Sequence, residues 1–261
     1  EYSFTDFESI GTLIVDEAHH ICAKVFSQSL FKLCPKHIYG LSATPERKDG
    51  LTKVLHWFMG PTFFAVERKN QEQVEVFPIV FDSPNYKNPP PSMRNGKISM
   101  PNMITELVED RQRNRMLVEL VKQLLVLSDR RQHCEFLHQC FPKTSGLYMG
   151  GMKEAALQES SKKKIIFATF SQAHEGLDIP TLDTVILASP KSDITQSIGR
   201  IMRETSGKKN NPHIYDIHDP WSIFTAMYYK RSKIYKHGGF NIRGKTLEDK
   251  PDFPQGKCLF L

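Results

Sequence analysis

No stretch of this 261-residue chain approaches the roughly 18 consecutive apolar residues that a membrane-spanning helix needs, and its opening residues do not read as a signal peptide. The five cysteines, Cys22, Cys34, Cys134, Cys140 and Cys258, are an odd number with no CxxC pair. That pattern argues against a disulfide framework and for a reducing intracellular compartment. No internal repeat is present beyond a two-part plan, so repeat architectures are set aside. Acidic residues are outnumbered, 29 against 35 Lys and Arg, for a net charge of +6. A balance of that sign suits a polyanionic partner such as DNA or RNA, although the excess is moderate. What remains is ordinary for a globular chain, 39% hydrophobic and 25% charged, with length for one large domain or two modest ones.

Two stretches share one grammar: a short apolar run, a polar cluster, then a helical pattern. Alternation of this kind predicts an α/β fold with parallel sheets covered by helices. The first stretch, residues 1–81, holds Thr12-Leu13-Ile14-Val15 and Ile38-Tyr39-Gly40-Leu41. The second, residues 103–237, holds Leu124-Leu125-Val126-Leu127, Ile165-Ile166-Phe167-Ala168, Val185-Ile186-Leu187-Ala188 and Ile214-Tyr215-Asp216-Ile217. Continuous apolar runs fit strands buried on both faces. Between the stretches, 82–102 contains Ser83-Pro84 and Pro89-Pro90-Pro91 and reads as an extended connector or insertion. Leu107, Met116, Leu117, Leu120, Val121 and Leu124 follow at helical spacing. Trp221 to Tyr235 reads as a helix, and 238–261, rich in Gly, Pro and charge, as a flexible tail.

Four segments carry chemistry. Thr12-Leu13-Ile14-Val15 leads into Asp16-Glu17-Ala18-His19, and a parallel strand delivers such residues to the carboxyl edge where ligands of α/β sheets bind. Successive strand side chains point apart, so Asp16 can hold Mg²⁺ through water while Glu17 orients or deprotonates an attacking water. A solvated Asp-Glu pair is an equal reading of four letters. One strand later come Ser42-Ala43-Thr44-Pro45 and Glu46-Arg47-Lys48-Asp49-Gly50. Ser42 and Thr44 are small hydroxyl residues able to bond a neighbouring acidic cluster, where an isolated Ser-Ala-Thr-Pro is only a turn. In the second stretch, Thr169 precedes Phe170-Ser171-Gln172-Ala173-His174-Glu175-Gly176-Leu177-Asp178. Thr169 suits a backbone phosphate, Gly176 allows close approach, and Asp178 can accept from a ribose hydroxyl. Gln196-Ser197-Ile198-Gly199-Arg200-Ile201-Met202-Arg203 follows a cap at Ser192, with Arg200 and Arg203 sharing a helix face. Paired guanidinium groups suit a triphosphate, while a salt-bridged surface helix using Glu204 is the bland alternative.

In this order the four segments resemble motifs II, III, V and VI of superfamily 2 helicases, over roughly residues 8–235. Val15-Asp16-Glu17-Ala18-His19-His20 with Ser42-Ala43-Thr44-Pro45-Glu46-Arg47-Lys48-Asp49-Gly50-Leu51 most resembles the xeroderma pigmentosum B-like branch. That branch includes helicases of large cytoplasmic DNA viruses of poxvirus and asfarvirus type. Asp110-Arg111-Gln112-Arg113-Asn114 ahead of a helix, and Ser128-Asp129-Arg130-Arg131 after a strand, also look like its second lobe. The resemblance implies two RecA-like lobes, the first incomplete at its N-terminus, with ATP and Mg²⁺ as cofactors. It implies that His19 links nucleotide to Ser42 and Thr44, that Ala43 shares the coupling segment, and that Gln196, Arg200 and Arg203 reach the γ-phosphate. DNA or RNA, single strand or duplex, would be gripped by backbone contacts, and transcription or replication machinery would be the wider partner.

One departure accompanies the match: fifteen residues precede Asp16, and none of them supplies the Gly-x-x-x-x-Gly-Lys-Ser/Thr that cradles phosphates. Ser206-Gly207-Lys208-Lys209 lacks the hydroxyl and the position. The expectation is therefore a fragment of a longer motor with little or no ATP hydrolysis of its own. A non-catalytic nucleic-acid-binding or regulatory protein derived from a helicase is the alternative, and a restriction-type motor subunit a third. Weaker candidates are His133, Cys134, His138 and Cys140 as zinc ligands against ordinary packing; Lys162-Lys163-Lys164 as a phosphate contact against a solvated loop; and Tyr228-Tyr229-Lys230-Arg231 with Lys233, Tyr235 and Lys236 as a single-strand platform against core packing.

Overall fold

The computed structural model describes residues 3–42, 50–66, 74–121, 125–175, 179, 182–201 and 211–244. The chain forms two compact units, residues 1–67 and 68–261.

In the first unit, β1 (Thr12–Val15) and β2 (His37–Gly40) form a two-stranded parallel sheet, with Leu13 opposite Ile38 and Val15 opposite Gly40. Helices α1 (Lys24–Leu30) and α2 (Thr52–Met59), with a 3₁₀ turn at Ala18–Cys22, cover one face. Ala18, Ile21, Cys22, Leu30 and Leu55 form the core there, with Leu13 and Val15 against it. The other face is open: Ile14 and Tyr39, partners in register, are 64% and 43% exposed. The two strands of this unit are thus covered on one face only. Gly40 is a close-approach position, since a Cβ there would collide with Met59 Sδ and lie 3.0 Å from the Ala18 Cβ.

The second unit is a seven-stranded sheet ordered β5-β6-β4-β7-β8-β3-β9, parallel at every pairing. Its strands are β3 (Glu75–Val80), β4 (Leu125–Ser128), β5 (Ser145–Tyr148), β6 (Ile165–Thr169), β7 (Thr184–Leu187), β8 (His213–His218) and β9 (Asn241–Ile242). Between them run α3 (Met100–Glu109), α4 (Arg111–Leu120), α5 (Arg131–Cys140), α6 (Glu154–Ser161), α7 (Phe170–Glu175), α8 (Thr195–Ile201) and α9 (Ile223–His237). Every residue of β4, β6 and β7 is buried, as the continuous apolar runs require. Apolar clusters line both faces, one around Leu125, Leu127, Val185 and Ile214, the other around Val126, Phe167, Ile186 and Ile217.

Three sequence boundaries move. The first unit ends at Glu67 rather than at 81, because β3 joins the second sheet beside β8 and buries Val76, Ile79 and Phe81. Residues 82–102 are not a free connector: Ser83 Oγ donates to the Asp110 carboxylate and Tyr86 stacks on Trp221 at 4.7 Å and 6°. Residues 241–242 of the expected tail are β9, paired with β3, and 245–261 lie outside the described residues. The helical stretch before β4 is two helices, α3 and α4, divided at Asp110, whose Oδ1 accepts from the Arg113 backbone N–H and caps α4. Asp110 to Asn114 thus begin a helix instead of preceding one.

Two buried arginines bind the second unit together. Arg113 is wholly buried and donates from Nε and Nη2 to the two oxygens of Asp219 at 2.7 and 2.8 Å, and from Nη1 to the Ala188 carbonyl at 2.7 Å. Arg231 on α9 donates to Asp216 at 3.0 Å, which also accepts from Tyr235 Oη at 2.8 Å. Burial works against the Arg113 charge, but Asp219 and its hydrogen bonds hold the pKa above the ordinary arginine value. Arg113→Ala would leave the buried Asp219 carboxylate without its counter-charge. Urea unfolding is expected to show a loss of about 3–5 kcal/mol, with a midpoint near wild type as the contrary result.

Candidate functional site

In the first unit the acidic pair stands in the turn after β1 rather than on the strand. Glu17 adopts a left-handed conformation (φ 47°, ψ 46°), uncommon for a residue with a Cβ and costly by about 1–2 kcal/mol. Its backbone N–H donates to Asp16 Oδ1 at 2.8 Å. Strand alternation therefore does not separate the two carboxylates; the left-handed turn does. The chain then winds into the 3₁₀ turn, where the Ala18 N–H donates to the Leu41 carbonyl at 2.8 Å and ties the acidic turn to the carboxyl end of β2. His19 Nδ1 lies 3.0 Å from Ser42 Oγ and 3.3 Å from Glu17 Oε2. The second separation is an ion-pair distance without hydrogen-bond geometry, and among the described residues the buried Glu17 Oε2 atom has no hydrogen-bond partner. Asp16, Glu17, His19 and Ser42 are thus one local cluster spanning the ends of adjacent parallel strands. Ala43 and Thr44 lie outside the described residues.

In the second unit the carboxyl ends of β4, β6 and β7 sit side by side, since β6 and β7 flank β4. Chain direction across the sheet reverses there, the position at which open α/β sheets bind ligands. Thr169 closes β6, is buried, and lies 3.4 Å from Ser171 through the two hydroxyls. Ser128 closes β4; its Oγ is 2.9 Å from His133 Nδ1 and accepts the Arg130 backbone N–H at 3.2 Å. His133 Nε2 lies 2.9 Å from Asn114 Oδ1, so Nε2 donates and Nδ1 accepts from Ser128. Past β7, Ser189 Oγ accepts from the Asp129 N–H at 2.7 Å. Gln196 and Arg200 lie on α8, but their side chains, and Gly176, Asp178 and Arg203 altogether, are outside the described residues. The N-terminal acceptor of α8 is Asp193, which takes the Thr195 hydroxyl at 3.1 Å, and not Ser192.

Among the weaker candidates, His133, Cys134 and His138 resolve as packing. His133 is held by Ser128 and Asn114, His138 by Ser145 at 2.7 Å, and Cys134 is buried with its thiol pushed up to about 12 by desolvation. Tyr228, Arg231 and Tyr235 are buried under α9, leaving Tyr229 and the lysines outside. Lys162 to Lys164 precede β6, at the sheet edge opposite Thr169. Arg113 and Asp219, which brace this edge, were not singled out by any local spacing, because their partnership spans 106 residues.

No family model matches the chain. Among curated proteins it is 36% identical over 259 residues to "Putative ATP-dependent RNA helicase L396" of Acanthamoeba polyphaga mimivirus, covering 93% of this chain and 50% of that protein. It is 31% identical over 258 residues to "Putative helicase 161L" of Invertebrate iridescent virus 6, covering 89% and 57%. Its homologues are, by name, helicases of large DNA viruses. The chain spans about half the length of these viral helicases. Among solved structures, S. cerevisiae Dbp5 bound to RNA and ADP BeF3 superposes with a TM-score of 0.57 at 14% identity, over 90% of this chain and 60% of that one. That likeness establishes the RecA-like helicase fold expected from the motifs.

Two buried histidines of this viral-helicase homologue make its stability pH-dependent. Desolvation, with Arg113 adding, lowers His133 to about 3, and desolvation lowers His218 to about 4. Unfolded histidine titrates near 6.5, so between these values the unfolded chain binds more protons and stability falls as pH drops below about 6.5. Urea midpoints are expected to be lower at pH 5 than at pH 7.5, and His133→Gln to shrink the difference by about half. Equal midpoints at the two pH values would contradict the burial of neutral rings.

Proposed function

We propose that these 261 residues are part of an ATP-dependent superfamily 2 helicase or translocase of the xeroderma pigmentosum B-like branch. ATP hydrolysis would be coupled to movement along a nucleic-acid strand. The observation that carries this reading is the cluster at the ends of β1 and β2, in which His19 joins the acidic turn to Ser42. A merely solvated Asp-Glu pair has no need of a left-handed glutamate whose Oε2 stands 3.3 Å from His19 Nδ1. The homology to viral proteins named helicases supports the same reading.

Asp16 and Glu17 fit a magnesium nucleotide, because carboxylate oxygens are the hard donors Mg²⁺ takes, and few of them suffice when phosphates complete the shell. Asp16 would hold the ion, which when bound neutralises phosphate charge. Glu17 would orient and deprotonate water, and His19 would pass the state of the cluster to Ser42 and Thr44. Gln196, Arg200 and Arg203 would meet the γ-phosphate, Gly176 and Asp178 the nucleotide, and Thr169 the strand backbone. RNA is the first track to test, since the mimivirus relative is named an RNA helicase. The exposed Ile14–Tyr39 face is one that helices of a larger first lobe would cover, which suits a partial ATP-binding lobe. A reducing compartment, host cytoplasm or virion, suits the unpaired cysteines.

These 261 residues hold no Gly-x-x-x-x-Gly-Lys-Ser/Thr. Phosphate-release assays with single-stranded RNA are expected to show little or no turnover from them alone. A polypeptide that also carries such an element upstream is expected to hydrolyse ATP, with Arg203→Ala lowering kcat by about 10³-fold or more and Glu17→Gln abolishing turnover. Full activity in Glu17→Gln would refute the assignment.

A further inference from the structure

We propose that the groove between α3, α4 and α5 is a second binding site for a single nucleic-acid strand, continuous with the carboxyl edge of β4. The inference rests on the strand-binding reading above and adds a site to it. The groove encloses about 620 Å³. Arg111 and Arg115 stand one turn apart on α4 and share its face. Arg130, at the head of α5, lies across from them and donates to the Pro101 carbonyl at 2.8 Å. Among the described residues neither Arg111 nor Arg115 has an ion-pair partner. Three guanidinium groups therefore face one carboxylate, Glu109, an excess that suits phosphates.

The floor decides what kind of phosphate ligand fits. Val108, Val118 and Phe136 line it, and the Phe136 ring is 47% exposed. Two of the groove's polar lining residues are already engaged: Asn114 with the Val108 carbonyl at 2.8 Å and with His133, and His133 with Ser128. An apolar floor of this kind can take the face of an unstacked base while arginines hold the backbone. A duplex keeps its bases stacked, so the fit is to a single strand. Continuity with the sheet edge is covalent and hydrogen-bonded: Ser128, the last residue of β4, bonds both the floor histidine and the Arg130 backbone. A strand lying over Thr169 and Ser128 would run from there into the groove.

The test is fluorescence anisotropy of the 261-residue chain with fluorescein-labelled rU20 and dT20 across a KCl series, with far-UV circular dichroism confirming the fold of each variant. R111E/R115E is expected to weaken binding at least tenfold and to reduce the log–log salt slope by about 1.4, two contacts at roughly 0.7 each. F136A is expected to weaken it about tenfold with the slope unchanged. R94E/K97E makes the same charge change on the exposed turn 92–98 and is expected to stay within about twofold of wild type. Strong binding by wild type that R111E/R115E alters no more than R94E/K97E does would overturn the groove alone. Unaltered oligonucleotide binding with lost poly-glutamate binding would assign the groove to an acidic polypeptide and overturn it equally. Absence of binding by wild type to either oligonucleotide would instead defeat the strand-binding reading itself.

Discussion

The buried pair of Arg113 and Asp219 is the constraint on which the second unit depends. One guanidinium reaches the loop after β8 through Asp219 and the end of β7 through the Ala188 carbonyl. Asp219 also accepts from Tyr86 at 2.6 Å, which fixes the segment after β3. Four pieces of chain distant in sequence are thereby held at one edge of one sheet. Taking both charges out of water is expensive, and the arrangement is tolerable only because every donor and acceptor finds a partner. Its worth is positional: it sets where β7 and β8 end and where α4 begins, and those points frame the strand termini that carry Ser128, Ser189 and Thr169.

The first unit solves a related problem with less. Two short parallel strands bring Glu17 and Ser42 to the same end, and a single imidazole spans them. The left-handed turn at Glu17 stores strain where the chemistry is proposed, while the remaining backbone of the unit is held by ordinary parallel pairing. Gly40 lets Met59 and Ala18 close over the strand end, so the cluster rests on packed rather than mobile elements. In both units, therefore, the parallel strand sets the position and the residue just beyond it supplies the chemistry.

Much of this was legible in the chain. β1, β2, β4, β6, β7 and β8 follow from apolar runs ending in small or charged residues, and the ordered motifs point to the helicase fold. β3 was not legible, because Pro78 sits within it; the structure accommodates proline where β9, which pairs only with Glu75 and Val76, leaves that side of the strand open. β5 hid behind Gly146, a residue that weakens a strand pattern, yet a Cβ there would meet the Ser160 backbone at 2.7 Å. Asp16 and Glu17 were found by motif, but their relation was misjudged, since a left-handed glutamate leaves no trace in local pattern. Arg113 stands within the Asp110–Asn114 segment noted in the sequence, but its buried partner lies 106 residues away and leaves no local signal. Long-range pairing, which local spacing does not encode, accounts for most of what the sequence concealed.

Hydrogen–deuterium exchange of the chain with and without saturating single-stranded RNA tests most directly whether the carboxyl edge of the larger sheet is the strand-gripping surface. Slowed exchange in peptides covering 128–136 and 169–171, with the turn at 162–164 on the opposite edge unchanged, is the expected result. Protection confined to that opposite edge, or bound RNA that leaves both carboxyl-edge peptides unaltered, would contradict it.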